Sequence, residues 1–236
     1  MFSARDRSQE PANDSFTRKL SELKRQGVSV LVVGSVNSDH LRETSRRLLG
    51  HATERPRRRV FVSTAGASRD RILVSDATPA AELRVVQYET ETRSAVSQTP
   101  TQNSHTSPAV DDDELTASGL ADLGIAISSA IHSFETNADA FEPGELRVGT
   151  DSLLPLLDDY SIEQVFKFVH LTNGRVTDFD GMVHHQLPVE RDADVVNVLA
   201  PLFDVLVELR EQNGTLQERW SLSDSGHCSG WLSLSE

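Results

Sequence analysis

The run Val28-Ser29-Val30-Leu31-Val32-Val33 is β-branched and apolar at successive rather than alternate positions. That pattern predicts a strand buried on both faces, as in a parallel sheet. Just before it, Phe16, Leu20 and Leu23 fall at i, i+4 and i+7, which predicts a helix from Ser15 that ends at Gly27. After it, Leu41, Leu48 and Leu49 predict a helix over about 39–49, with Ser38 as its N-cap and Gly50 at its end. Short strands are predicted at Arg59 to Ser63 and Leu83 to Tyr88. A helix with the stripe Leu120, Leu123, Ile127, Ile131 and Phe134 follows. Its start is assigned to Asp111-Asp112-Asp113-Glu114, where acid suits the helix dipole.

The second half repeats the alternation. Glu145 to Ser152 reads as a strand, and Leu153 to Leu157 as a helical turn. Ser161-Ile162-Glu163-Gln164 is a capping box that opens a helix ended by Asn173-Gly174. A strand over Gly181 to Leu187 leads to a helix capped by Asp192 and interrupted near Pro201. Asp204 to Leu209 is a strand, and Asn213-Gly214 turns it into an antiparallel return over Thr215 to Leu222. The sum is an α/β fold: a mainly parallel sheet flanked by helices, with a C-terminal antiparallel hairpin. Its parts are a flexible tail over 1–14, one domain over 15–223 with a polar insert at 91–113, and a polar C-terminal tail over 224–236.

Composition narrows the setting. The chain has 236 residues and a net charge of −13. Only Lys19, Lys24 and Lys167 are lysines. An acidic, arginine-rich, lysine-poor surface suits molar salt, where self-repulsion is screened within about 3 Å. One cysteine, Cys228, rules out an internal disulfide framework, and no apolar run is long enough for a membrane span, so a cytoplasmic protein is expected. Residues 1–75 carry 15 basic and 8 acidic side chains, and Arg55-Pro56-Arg57-Arg58-Arg59 is their densest run. Two readings apply to that run, a nucleic-acid patch and a solvated loop entering a strand. The second is favoured, because phosphate contacts weaken steeply with salt and no aromatic residues interleave to stack on bases.

Ligands of open α/β sheets bind beyond the carboxyl ends of the strands. Two such ends carry candidate chemistry. In Gly34-Ser35-Val36-Asn37-Ser38-Asp39-His40-Leu41, Gly34 matches the first glycine of a phosphate loop. Asp39, His40 and Leu41 occupy the places of its second glycine, its lysine and its metal-binding hydroxyl. Asp151-Ser152 follows the Leu146–Thr150 strand, where an acid can hold Mg²⁺ through water or simply cap the next helix. Gly34, Ser35, Asp151 and Ser152 are therefore the candidate remains of a nucleotide site. Adjacent His184 and His185 point to opposite faces of a strand and do not form a chelate. His227-Cys228 is too small a set for zinc or a fixed nucleophile.

The order of elements resembles the RecA/KaiC-type core of P-loop ATPases. Glu145–Leu157 resembles that group's Walker B strand followed by Asp-Ser-Leu, and Phe203 to Leu209 with the hairpin Leu216–Leu222 resembles its late strands. Over about 15–223 the chain is similar to a group of uncharacterised haloarchaeal proteins with a degenerate RecA-like fold, sometimes labelled transducer-like. The resemblance implies a haloarchaeal origin, a place near signalling, and self-association, since RecA-like modules form rings or filaments. The chain departs from the ATPase pattern at Asp39, His40 and Leu41. It also departs after the second strand, where Ser63-Thr64-Ala65-Gly66 stand in place of paired glutamates. The expected function is a non-catalytic regulatory or protein-interaction module with no cofactor, no metal and no catalytic residue, and with a protein partner or its own copies as the binding target. The alternatives are a divergent ATPase that uses ATP–Mg²⁺ and Asp151, and a nucleic-acid binder through Arg55–Arg59.

Overall fold

The computed structural model of the chain describes residues 10–51, 57–65, 83–89, 114–135 and 141–234. The 91–113 insert, residues 1–9, Arg55, Pro56 and Gly66 lie outside the described residues. The described strands form one nine-stranded sheet in the order β4-β3-β2-β5-β6-β1-β7-β8-β9. These are β1 (Val28–Val33), β2 (Arg58–Ser63), β3 (Leu83–Tyr88), β4 (Glu114–Ala117), β5 (Leu146–Thr150), β6 (Met182–Leu187), β7 (Val205–Gln212), β8 (Thr215–Leu222) and β9 (Leu232–Ser233). All pairings from β4 to β7 are parallel, and β7-β8 and β8-β9 are antiparallel.

The successive apolar pattern of β1 has the consequence expected of it. Leu31 and Val33 enter one core, which contains side chains of α3 (Leu120–Glu135), α4 (Leu154–Asp159), α5 (Ile162–Thr177) and α6 (Asp194–Leu199). Val28, Val30 and Val32 enter the other, with Phe16 of α1 (Glu10–Leu23) and Leu48 of α2 (Ser38–Leu48). A parallel strand with helices on both faces has no solvent face on which to place polar residues.

Several boundaries differ from the sequence reading, each for a physical reason. Helix α1 begins at Glu10 rather than Ser15, and Pro11 sits in its first turn, where a missing N–H costs no helical bond. The N-cap of α2 is Asn37, whose Oδ1 accepts the His40 amide at 2.9 Å, so Ser38 is already helical. Glu114–Ala117 is a strand and not the start of a helix. Its pairing with β3 supplies bonds that four residues cannot announce by periodicity, and α3 starts at Leu120.

Asn173-Gly174 does not end α5, which runs to Thr177. The buried Asn173 side chain donates to the Leu202 carbonyl at 3.0 Å and meets His185 Nε2 at 3.1 Å, and these tertiary bonds outweigh its turn preference. Asp192 caps nothing; α6 follows Ala193 without a side-chain cap.

The hairpin forms as read, with Asn213 and Gly214 at φ 53° and 73°, the positive values such a turn demands. The C-terminal stretch is bound to the fold rather than loose. Leu232–Ser233 pairs with β8, and Trp231 lies 3.7 Å and 4.8 Å from the Arg210 and Arg219 guanidiniums.

The arginine run is neither a free patch nor a solvated loop over its described part. Arg57 and Arg59 are buried. Arg57 donates to the Gly144 carbonyl at 2.7 Å, and Arg59 to the Leu49 carbonyl at 3.0 Å. Arg58 pairs with Glu145 at 2.9 Å and donates to the Phe134 carbonyl at 2.7 Å. With Arg147, which donates to the Leu48 carbonyl at 3.3 Å, Arg59 occupies the carbonyl end of α2, where cations are favoured. Burial, then the neighbouring Arg57 and Arg59, push the Arg147 guanidinium down to about 10.

Candidate functional site at the strand ends

The carboxyl ends of β1, β6, β5 and β2 lie side by side in that order. At the end of β1, Gly34 has φ 134°, and its amide donates to the Val189 carbonyl at 2.9 Å. A Cβ there would lie under 3.0 Å from the Leu209 carbonyl oxygen of β7. The glycine is thus required by a close approach of two strands. Only Gly34, Ser35, Val36 and Asn37 separate β1 from α2. A phosphate loop wraps its anion with a longer run of backbone amides before the helix begins. Here Asp39 is in the first helical turn, its carboxylate paired with Arg42, and Asn37 already occupies the His40 amide. Leu41 packs toward the core between α2 and the sheet, and its carbonyl accepts from Gln186 Nε2 at 2.7 Å.

At the end of β5, Asp151 is turned toward β2. Its Oδ1 accepts the Thr64 amide and the Thr64 hydroxyl, both at 2.8 Å. The Ala65 amide reaches both carboxylate oxygens at 3.3 Å, and Ser63 Oγ donates to Oδ2 at 3.3 Å. Burial pushes this carboxyl above the ordinary 3.8, and the bonds from Thr64, Ala65 and Ser63 pull it back down. Ser152 is buried; its Oγ accepts the Leu154 amide at 3.1 Å and its carbonyl accepts the Thr64 hydroxyl. The Leu153 amide donates to the Gln186 carbonyl at 2.8 Å. Thr64, which the sequence shows only as part of the stretch that replaces the paired glutamates, and Gln186, which it does not single out, are therefore the further residues of this site. They join β2 to β5 and β6 to α2. Gln186 gave one signal, a polar side chain on a strand buried on both faces.

The structure thus keeps Gly34 and Ser35 with one strand end and Asp151 and Ser152 with another, with β6 between them. A nucleoside triphosphate with Mg²⁺ needs backbone donors around the phosphates, a cation beside them and a carboxylate free to hold metal-bound water. The residues present do not fit it: the helix N-terminus carries Asp39, its first-turn amide is capped, and Asp151 is held by four donor groups.

A mutational pair separates this bonding role from a metal role. Asp151→Ala removes the acceptor of several partly buried donors and is expected to cost about 2–3 kcal/mol in urea unfolding. Asp151→Asn keeps an acceptor oxygen and has no charge to desolvate, so its expected cost is below about 1 kcal/mol. Equal losses for the two variants would contradict this assignment.

Beneath the strand ends lies a buried polar layer. His184 is 1% exposed and His185 0%. His184 Nε2 meets Ser45 Oγ of α2 at 2.8 Å, on one side of the sheet. His185 faces the other side, with Asn173 of α5 and the Phe203 ring, whose centroid is 5.8 Å away. Burial pushes both imidazoles down to about 3, with His185 and Arg147 adding to the effect at His184. Gly149 of β5 makes room for His184, since a Cβ there would fall under 3.0 Å from the ring.

Comparison with known proteins agrees with the architecture. The model of the family of unknown function DUF7504 matches residues 27–209. No curated protein sequence matches the chain. Among solved structures, a KaiC-like protein from the hyperthermophilic archaeon Pyrococcus horikoshii OT3 is similar, with a TM-score of 0.55 at 11% identity. The match covers 88% of this chain and 85% of that one. The fold is therefore RecA/KaiC-like, a mainly parallel α/β sheet with an antiparallel C-terminal hairpin. Among the described residues no helix is long and apolar enough to cross a membrane.

Proposed function

We propose that this chain, which belongs to the DUF7504 family, is a non-catalytic regulatory or protein-interaction module that uses a KaiC-like fold as a scaffold. The observation that carries this reading is the four-residue turn Gly34–Asn37, which leads straight into a helix whose first turn bears Asp39. Phosphate placed there would meet a carboxylate at the place of a phosphate loop's second glycine, and His40 where that loop offers a lysine. The engagement of Asp151 by Thr64, Ala65 and Ser63 supports the same reading. The acidic, lysine-poor composition supports a molar-salt, haloarchaeal cytoplasm as its setting, and the module's output is then contact with another protein, in keeping with a signalling role.

Isothermal titration of ATP–Mg²⁺ into the protein in molar KCl tests it. The expected result is no binding heat up to about 1 mM nucleotide, an affinity weaker than about −4 kcal/mol. A micromolar Kd accompanied by phosphate release would overturn the reading in favour of a divergent ATPase.

A further inference from the structure

His185 is fully buried, and only one of its two ring nitrogens is accounted for. Asn173 Nδ2 donates to the Leu202 carbonyl, which leaves Asn173 Oδ1 as the atom that faces His185 Nε2 at 3.1 Å. An amide oxygen can only accept, so Nε2 carries the ring proton. Burial keeps the ring neutral, so Nδ1 has no proton and is a bare acceptor. It has no hydrogen-bond partner among the described residues.

A second polar atom in the same condition stands next to it. Thr150, the last residue of β5, is 0% exposed, and its Oγ1 also has no partner among the described residues. Thr150 and His185 are register partners on adjacent parallel strands, so their side chains leave the same face of the sheet. Val62 of β2 flanks Thr150 on its other side. Leu31 of β1 flanks His185, and Leu206 of β7 follows Leu31. The row therefore reads Val62, Thr150, His185, Leu31, Leu206. Its two polar members are neighbours, and apolar side chains close it at both ends.

The chemistry of the two atoms selects what joins them. Nδ1 needs a donor, and a hydroxyl can both donate and accept. A cation is disfavoured, because the row holds no carboxylate to balance it, and an anion would find the hydroxyl as its one donor there. A water molecule donates to Nδ1 and shares a second bond with the hydroxyl. Apolar cavities stay dry, whereas buried water is held where two or more polar groups converge.

We propose that Thr150 Oγ1 and His185 Nδ1 share one buried water, a hydration site internal to the β5–β6 pair. The water ties the carboxyl end of β5 to β6 through side chains, in addition to the backbone ladder. It fixes the His185 ring from the side opposite Asn173. The site is separate from the carboxylate of Asp151, which is turned toward β2.

NMR spectroscopy of the isotope-labelled full chain tests it. Long-range proton–nitrogen correlations are expected to show His185 protonated at Nε2 and bare at Nδ1. Water-selective cross-relaxation is expected to give a contact with the sign of bound water at His185 Hε1, the ring proton beside Nδ1, and another at the Thr150 methyl group. Thr150→Val keeps the shape of the side chain and removes its hydroxyl. With its fold verified by circular dichroism, this variant is expected to lose the water contact at His185 Hε1.

A ring protonated at Nδ1, or a parent protein with no bound-water contact at either group, would overturn the site. A contact at His185 that survives in Thr150→Val would overturn the sharing of the water. The parent spectra decide the matter even where Thr150→Val fails to fold. None of these results bears on the nucleotide titration, so the failure of the hydration site and the failure of the non-catalytic reading are told apart.

Discussion

Gly34→Ala is expected to destabilise the protein severely, whether or not any nucleotide is present. Two costs combine. An alanine at φ 134° is held in a backbone region that L-residues avoid, at about 1–3 kcal/mol. Its Cβ would also press within 3.0 Å of the Leu209 carbonyl oxygen, which is backbone of β7, held by the β7–β8 ladder, and cannot swing aside as a flexible side chain would. Overpacking of this kind typically adds about 1–3 kcal/mol.

The expected loss of about 2–6 kcal/mol is a large part of the stability of a single domain. Urea unfolding followed by circular dichroism measures it, with Gly124→Ala as the comparison, because its Cβ meets nothing. If Gly34→Ala melts like the parent, the glycine is not needed for strand packing, and a ligand role for its backbone regains weight. The outcome matters because Gly34 is the one residue of this turn that matches the phosphate-loop pattern. In this fold its presence is accounted for by the neighbouring strand.

How far the fold could be read from the chain depended on how local each cause is. Runs such as Val28–Val33 and Val60-Phe61-Val62 announce buried strands through their own composition, and the capping box Ser161–Gln164 announces a helix start through bonds that span three residues. The causes that escaped notice are nonlocal. Strand β4 exists because β3 offers it an edge, and four residues carry no period. Helix α5 continues past Asn173-Gly174 because Asn173 finds His185 and Leu202, which lie 12 and 29 residues further along.

The candidate site divides in the same way. Its position at the strand ends and the loss of its phosphate-loop groups were legible at Gly34 and at Asp39–Leu41. That Asp151 would be engaged by Thr64 was not, since it depends on β2 and β5 being neighbours.

The second large effect is an acid sensitivity that starts well above the carboxylate range. His184 and His185 are pushed down to about 3 in the folded protein, against about 6.5 for an exposed imidazole. The neutral form is the one the fold accepts. Below pH 6.5 the unfolded chain binds protons at these two positions and the native state does not, so stability falls as pH falls. The window runs from about 6.5 down to about 3, and above it the contribution of the pair is fully present.

Between pH 7 and pH 5 each histidine is expected to remove about 2 kcal/mol, and the pair about 4. Asp151, raised by burial, acts in the opposite sense at lower pH, because its protonated form is favoured in the fold. It therefore offsets part of the loss only near the carboxylate range. Urea unfolding free energies at pH 7, 6 and 5, at constant molar salt, measure the slope. His185→Gln keeps a polar side chain beside Asn173 but removes one titrating group. It is expected to lower stability at pH 7 and to halve the slope between pH 7 and pH 5. A parent protein equally stable at both pH values would refute the neutral, buried pair. A His185→Gln variant with an unchanged slope would assign the acid response to groups other than His185.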